Sequence, residues 1–358
     1  MKKKSEIILP IVVLVQVFLG ILVLASASAS IAQEKVKIPF YFLKHQILFG
    51  LIPGIILMLV FLKLPLSVLK KWAIPLLILN LLTCALVFLP KTGMEFSGAS
   101  RWIVLGPISF QPAEFLKITF LIYLAAWLTK KKNDKEVLIG FLIILLPITL
   151  LLILQPDIST LGVIILSAII MYFLSNTPFW HIILIIALAF SGFIFLTKAA
   201  PYRAARLKVF LEPKMDPLGA GYQLGQSLIA IGSGGPFGKG FGLSSQKLGF
   251  LPGSFSDSIF AIFAEETGFL GSFILVAFFL IFLIRGFKIS KKAKDEFSKI
   301  LAQGISSWIV LQAFVNIGAM TGILPLTGIP LPFISYGGSH LIAELIGVGI
   351  LLNIAKQT

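Results

Sequence analysis

Asp157, in QPDIST, follows a proline where one apolar stretch ends and the next begins. Asp257, in LPGSFSDSIF, stands where a long polar loop meets another apolar stretch. An ionisable side chain at the edge of a membrane segment is costly, about 2.5–3.5 kcal/mol at the helix centre, so it marks a functional site by default. Two acids at one membrane level suit a shared general base or the binding of a divalent cation, Mg or Mn. Each could equally serve as a helix N-cap and nothing more. Glu114 and Lys117, in QPAEFLK, are spaced i, i+3 on one helical face and form a candidate structural ion pair. Glu265, Glu266 and Glu344 sit inside apolar runs and are expected to face a protein interior. His45, His181 and His340 lie on separate segments without zinc spacing, and the chain has neither a serine nucleophile elbow nor a Walker loop. The single cysteine, Cys84, excludes a disulfide framework.

The segment 197–256 carries Lys198, Arg203, Arg206, Lys208, Lys214, Lys239 and Lys247 against only Glu212 and Asp216. Arg and Lys are what phosphate recognition requires. Within it, IAIGSGGPFGKGFG surrounds Lys239 with glycines, which lets backbone N–H groups turn towards an anion. Long loops also cross membranes regardless of charge, so the excess by itself is ambiguous.

These residues are positioned by a membrane protein. The chain is 58% hydrophobic and only 13% charged, against roughly one-quarter charged in soluble domains. Its apolar runs are continuous and do not alternate, which predicts helices and not a barrel. Ten spans are expected, at about 7–29, 42–62, 72–90, 112–129, 137–155, 158–174, 179–197, 257–284, 299–322 and 339–355, in one polytopic domain covering 1–358. MKKK followed by an apolar run and ASASAS has the layout of a secretory signal. The run from Ile7 to Ala25 is longer than a signal core, which favours a retained first span. Lys2–Lys4, Lys70, Lys71, KKKNDK and RGFKISKKAK fall in short segments on one side. By the positive-inside rule that side and both termini are cytoplasmic, and 197–256 is a large outer loop between the seventh and eighth spans. The net charge of +15 is then largely an orienting set, which argues against a nucleic-acid partner.

GASRWI (98–103), QPAEFLK (111–117), QPD (155–157), YRAAR (202–206), DPLGAGYQLGQSLIAIGSGGPFGKGFG (216–242), QKLGFLP (246–252), AEETG (264–268) and TGIPLPFISYGGS (327–339) together resemble the SEDS family of FtsW, RodA and SpoVE. The match runs almost the whole chain, and the GYQLGQSLIA and QKL segments lean towards the FtsW branch. The resemblance implies an all-α, ten-span peptidoglycan glycosyltransferase of the bacterial cytoplasmic membrane. Such an enzyme polymerises lipid II, the undecaprenyl-pyrophosphate disaccharide pentapeptide, beside a class B penicillin-binding protein transpeptidase and the proteins of the divisome or elongasome. It also implies Asp257 and Asp157 as the catalytic acids, Arg101 and Trp102 in the GAxRW element, and Glu114 and Lys117 in the QPxExxK element. Where the family has LPE, a small residue and HTD, this chain has Leu251, Pro252, Gly253, Ser254, Phe255, Ser256 and Asp257, lacking the glutamate and histidine and keeping the aspartate.

For glycan extension Asp257 is the expected base, with Asp157 holding it or a cation. Arg101, Trp102, Lys117, Arg203, Arg206, Gln226, Lys239, Ser335 and Ser339 are the expected substrate contacts. The proline- and glycine-rich stretch 322–340, GILPLTGIPLPFISYGGSH, is expected to be a re-entrant wall of the site. A lipid flippase, an inactive scaffold for the transpeptidase and an ion-coupled transporter remain alternatives. The last is disfavoured because no internal repeat is visible.

Overall fold

A computed structural model of the chain describes residues 3–89, 93–96, 99–105, 108–130, 134–175, 177–212, 216, 219 and 221–357. Lys2, Pro90, Gly98, Lys131, Lys132, Asn133, Lys214, Pro217, Leu218 and Ala220, which belong to stretches singled out above, lie outside the described residues.

The helices are α1 (Lys3–Lys35), α2 (Tyr41–Gln46), α3 (Ile52–Lys63), α4 (Leu66–Lys71), α5 (Ala73–Leu86), α6 (Pro112–Leu128), α7 (Asp134–Leu154), α8 (Ile158–Leu174), α9 (Phe179–Lys198), α10 (Pro201–Leu211), α11 (Tyr222–Ser233), α12 (Ile259–Lys292), α13 (Glu296–Met320) and α14 (Gly338–Gln357). A π-helical turn, Ile47–Leu51, joins α2 to α3 into one rod, Tyr41–Lys63. Each of the ten apolar stretches falls on a helix. Among the described residues seven helices are long and apolar enough to cross a membrane, and α5 and α8 are shorter apolar helices. Proline at the first position of α6 fits a start there, because the N–H it lacks would have no helical partner.

α13 and α14 are the most enclosed of the long helices, while α9 and the Tyr41–Lys63 rod turn most of their surface outward. Around α6, α13 and α14 the core is filled by Trp308, Phe120, Leu116, Leu301, Ile305 and Ile350, all fully buried. Outward-facing Leu, Ile and Phe side chains on α9 and α3 are what a lipid solvent selects.

The periodicity of the apolar runs missed a small antiparallel sheet between α5 and α6. Its strands are β1 (Gly93–Phe96), β2 (Ala99–Leu105) and β3 (Ile108–Phe110), ordered β1-β2-β3. Met94 pairs with Trp102 and Ile103 with Phe110. The signal was present in short runs of Trp, Ile, Val and Phe broken by Ser-Gly and Gly-Pro, a hairpin pattern.

The 257–284 stretch, expected as one continuous span, is two helices. Gly268 in α12 is non-helical, with φ 69° and ψ −166°. Ser256 reaches Ser335, at 2.6 Å from the Ser335 hydroxyl, while the Phe282 ring lies 6.1 Å from that of Phe333. A straight helix would hold positions 256 and 282 about 39 Å apart. Touching nearly adjacent residues of one loop requires the chain to turn sharply at Gly268.

The glycine-rich loop after α11 repairs that break. The N–H groups of Lys239 and Gly240 donate to the carbonyls of Glu265 and Glu266 at 2.9 and 3.1 Å. Those of Phe269 and Leu270 donate to Gly235 and Pro236 at 2.8 and 3.1 Å. These loop N–H groups, expected to face an anion, are spent on the helix instead. A Cβ on residue 268 would collide with the backbone nitrogen of Gly238 and would need a left-handed φ. Gly268→Ala is therefore expected to cost at least about 1–2 kcal/mol. A fall in the thermal midpoint of the purified protein measures it, and an unchanged midpoint would contradict the role given to this break.

Candidate active site

Asp257 ends a tight turn. Gly253, at φ 65°, accepts at its carbonyl from the N–H groups of Ser256 and Ser258 at 2.9 and 3.0 Å. A side chain at 253 would meet the Asp257 carboxylate directly, so a glycine here leaves this acid room. The Ser256 hydroxyl donates to Asp257 Oδ1 at 3.0 Å and Gln223 Nε2 donates to Oδ2 at 3.3 Å. Gln223 is itself fixed by a 3.0 Å bond to the Ser258 hydroxyl. Asn316 Nδ2 grips the Asp257 carbonyl at 2.7 Å. Asp257 is partly exposed, and among the described residues no Lys or Arg pairs with it. The result is an oriented, accessible acceptor of a proton.

The broken stretch 321–337 packs beside it, with Gly328 facing the carboxylate. Its non-helical backbone is tied down by side chains at almost every step. Asn316 donates to the Ile329 carbonyl at 2.7 Å and Gln312 to that of Pro330 at 3.1 Å. The Phe333 N–H donates to Glu344 at 2.8 Å and the Gly337 N–H to Gln46 at 2.9 Å. The Ser335 hydroxyl accepts from the Leu331 N–H at 2.8 Å and donates to the Ser256 carbonyl, so Ser335 holds the wall to the Asp257 turn. Irregular backbone at membrane depth survives only when satisfied in this way. Phe255 stacks on Phe42 with ring centres 4.7 Å apart and meets Tyr336 at 5.6 Å. The Tyr336 hydroxyl lies 3.0 Å from His45 Nδ1.

Asp157 caps α8: its Oδ1 accepts from the Thr160 N–H at 3.3 Å, and Oδ2 faces Gln111 Nε2 at 3.5 Å. The N-cap alternative is therefore the geometry observed. Two residues on, the Ser159 hydroxyl donates to the Thr327 carbonyl at 2.7 Å, next to the Gly328 that faces Asp257. The two acids belong to one end of the bundle, joined through this strut and without a shared partner among the described residues. Arg101, on β2, donates to the carbonyls of Gln155 (3.0 Å) and Pro156, so the guanidinium secures the turn into Asp157. Trp102 beside it is half-buried. The Gln111 N–H donates to the Ser339 hydroxyl at 3.0 Å, which fastens the start of α6 to α14.

Glu114 and Lys117 form a buried pair at 2.7 Å. The ammonium also reaches Gln312 Oε1 at 2.7 Å and lies 5.3 Å from the Trp308 ring centre. Gln312 passes the contact on to Glu344 at 3.4 Å. Lys117 therefore supports the loop wall from behind.

The cations of segment 197–256 disperse. Arg203 donates to the Leu196 carbonyl at 3.0 Å and Arg206 to that of Leu326 at 3.3 Å, the latter at the edge of the broken stretch. Lys239, a candidate phosphate contact, pairs with Glu265 at 2.6 Å, and Lys247 pairs with Glu266 at 2.8 Å. Gln226 is half-buried on α11, one turn beyond Gln223.

Gln223, Asn316 and Gln312 were missed by sequence reasoning. Asn316 and Gln312 are amides in the apolar second half of α13, a readable sign of a buried polar task. Gln223 shares GYQLGQSL with Gln226, and only the direction of the helix face separates the two. Replacing Gln223 by Ala removes a hydrogen bond to a charged group, worth about 1.5–3 kcal/mol. The expected result is a fall in kcat of about tenfold or more, with KM little changed and Gln223→Asn partly restoring the rate. An unchanged kcat would remove Gln223 from the site.

The donor set does not form a cation cage. Both aspartates already face amide N–H donors, and among the described residues no group of three His, Cys, Asp or Glu side chains could hold a metal.

Residues 6–358 match the sequence model of the FTSW_RODA_SPOVE family, described as cell cycle proteins. The chain is 38% identical to stage V sporulation protein E of Bacillus subtilis, over 100% of this chain and 98% of that protein. It is 39% identical to a probable peptidoglycan glycosyltransferase FtsW of Geobacter sp. strain M18, over 94% of this chain and 93% of the relative. Among solved structures it superposes on a chain of a peptidoglycan synthase complex, described for its coordination of polymerization and crosslinking, with a TM-score of 0.80 and 29% identity over 98% of this chain and 97% of that one. It also superposes on the rod shape determining protein RodA of Thermus thermophilus, with a TM-score of 0.71 and 28% identity over 98% and 96%.

Proposed function

Because the chain belongs to the FtsW/RodA/SpoVE family of cell cycle proteins, integral to the membrane, we propose that it is a peptidoglycan glycosyltransferase that polymerises lipid II at the outer face of the bacterial cytoplasmic membrane. Both termini are then cytoplasmic. The observation that carries the reading is Asp257: partly exposed, free of any cation among the described residues, and aimed by Gln223, Ser256 and Asn316.

In the reaction, the 4-hydroxyl of an incoming GlcNAc attacks the anomeric carbon of the growing chain. The O4–C1 bond forms as the C1–O bond to phosphate breaks, and its electron pair leaves on undecaprenyl pyrophosphate. Asp257 takes the hydroxyl proton, and C1 inverts. One base suffices because pyrophosphate leaves without protonation, unlike the leaving groups that demand a second carboxyl in glycosidases. Asp157 shapes the site through its helix cap and the Ser159–Thr327 strut. Arg206, at the edge of the broken stretch, is our candidate for the counter-charge; Arg101, Lys117 and Lys239 already meet protein partners. A role for Mg or Mn would need donors from the substrate's pyrophosphate, and no step here depends on it.

The partner we propose is a class B penicillin-binding protein, within a divisome or elongasome, since the solved relative with the TM-score of 0.80 comes from a peptidoglycan synthase complex. Co-purification with the candidate transpeptidases, followed by assay with labelled lipid II, tests both proposals. Flipping of lipid II without any polymer would favour the flippase reading.

A further inference from the structure

The glycine-rich loop between α11 and the Asp257 turn pairs both of its lysines, the exposed Lys239 and the buried Lys247, with glutamates of α12 and turns its large apolar side chains outward. Lys247, Glu265 and Glu266 are buried, and Lys239 turns its ammonium onto Glu265. Lys247 also reaches the Ser26 hydroxyl at 2.7 Å, which fastens the loop to α1. Phe237, by contrast, is 80% exposed, Leu243 66% and Leu248 61%, with Phe241 and Phe250 exposed beside them. A water-facing loop would turn polar side chains outward, and so many large apolar side chains exposed within one short loop mark an interaction surface.

The patch is continuous with a membrane-facing surface. Phe269, 72% exposed, and Phe273 stack at 6.3 Å near the start of the second half of α12, one of the helices long and apolar enough to cross the membrane. The Phe269 and Leu270 N–H groups are bonded to Gly235 and Pro236, so Phe237 follows directly on that surface.

We propose that loop 234–250 is seated in the outer leaflet itself, at the boundary between headgroups and acyl chains, with lipid acyl chains as the occupant of the patch. Three further features agree. The backbone groups left by the helix break are paired within the protein, as a low-dielectric setting demands. Exposed Phe and Leu are the side chains that an element lying in this boundary buries among the acyl chains. The Lys239 stem can lie along the apolar surface while its charge is met by Glu265. The loop whose glycines suggested backbone N–H groups turned towards an anion thereby becomes a membrane anchor immediately preceding the turn that carries Asp257. This inference rests on the membrane fold and is independent of the reaction.

Spin labels on Phe237→Cys, Leu243→Cys and Leu248→Cys, in the full chain in nanodiscs of phosphatidylethanolamine and phosphatidylglycerol, test it. The references are Phe269→Cys for lipid and Lys208→Cys for water. Cys84 is fully buried, and unsubstituted protein reports any labelling there. The loop labels should collide with oxygen more than with a water-soluble nickel chelate, in the ratio seen at Phe269→Cys and severalfold above that at Lys208→Cys. Ratios matching Lys208→Cys would overturn the proposal. So would labels shielded from both reagents by a co-purified protein. Phe250→Trp quenched by brominated acyl chains gives a second measurement, and failure of quenching would also overturn it.

Discussion

Asp257→Asn protein is expected to fold and bind lipid II while polymerising it about 10²–10⁴-fold more slowly, the range a positioned general base contributes. The substitution keeps the size of the side chain, and the backbone carbonyl held by Asn316 and the turn closed by Gly253 are untouched. What is lost is the proton acceptor. The amide also presents an N–H₂ where Gln223 and Ser256 both donate, so one of those bonds must break or reverse. Because substrate binding does not use that proton, the loss should fall on kcat with KM little changed. Polymerisation at the wild-type rate by Asp257→Asn would remove the base from the mechanism.

The largest expected effect on stability is at Lys117. Lys117→Ala leaves Glu114 buried without its cation and takes one contact from Gln312, which holds Pro330 and Glu344 behind the site wall. Breaking one partner of such a pair costs about 3–5 kcal/mol, because the remaining charge is stranded in a low dielectric. The thermal midpoint in detergent should fall by many degrees, and activity should fall with it. Replacing both residues together, Glu114→Gln with Lys117→Met, removes the stranded charge and should recover much of the midpoint. If the double replacement is no more stable than Lys117→Ala, the buried pair is not what fixes the wall.

Much of the helical plan was legible because long apolar runs have one stable use, and the acids at their edges were legible because burying charge is expensive. The family motifs pointed to Asp257 and to the proline- and glycine-rich wall. Three things were missed. The sheet carrying Arg101 lies in a short connection whose hairpin pattern a search for helical periodicity passes over. The sharp turn at Gly268 depends on a loop remote in sequence that supplies its missing hydrogen bonds. The cations posed the same difficulty, since a lysine chosen for phosphate by its type alone turned out to sit on a glutamate, as Lys239 does on Glu265. Gln223 shows how near the reading came, because the glutamine that bonds Asp257 stands one turn before the one chosen from the same motif.

The most direct test of the central claim is to give purified chain, with its co-purified transpeptidase and without any nucleotide or ion gradient, fluorescent lipid II and to resolve the products by gel. The account predicts a ladder of glycan polymer from the wild-type chain and none from Asp257→Asn. It would be contradicted by unpolymerised lipid II from the wild-type complex, or by the same ladder from both proteins.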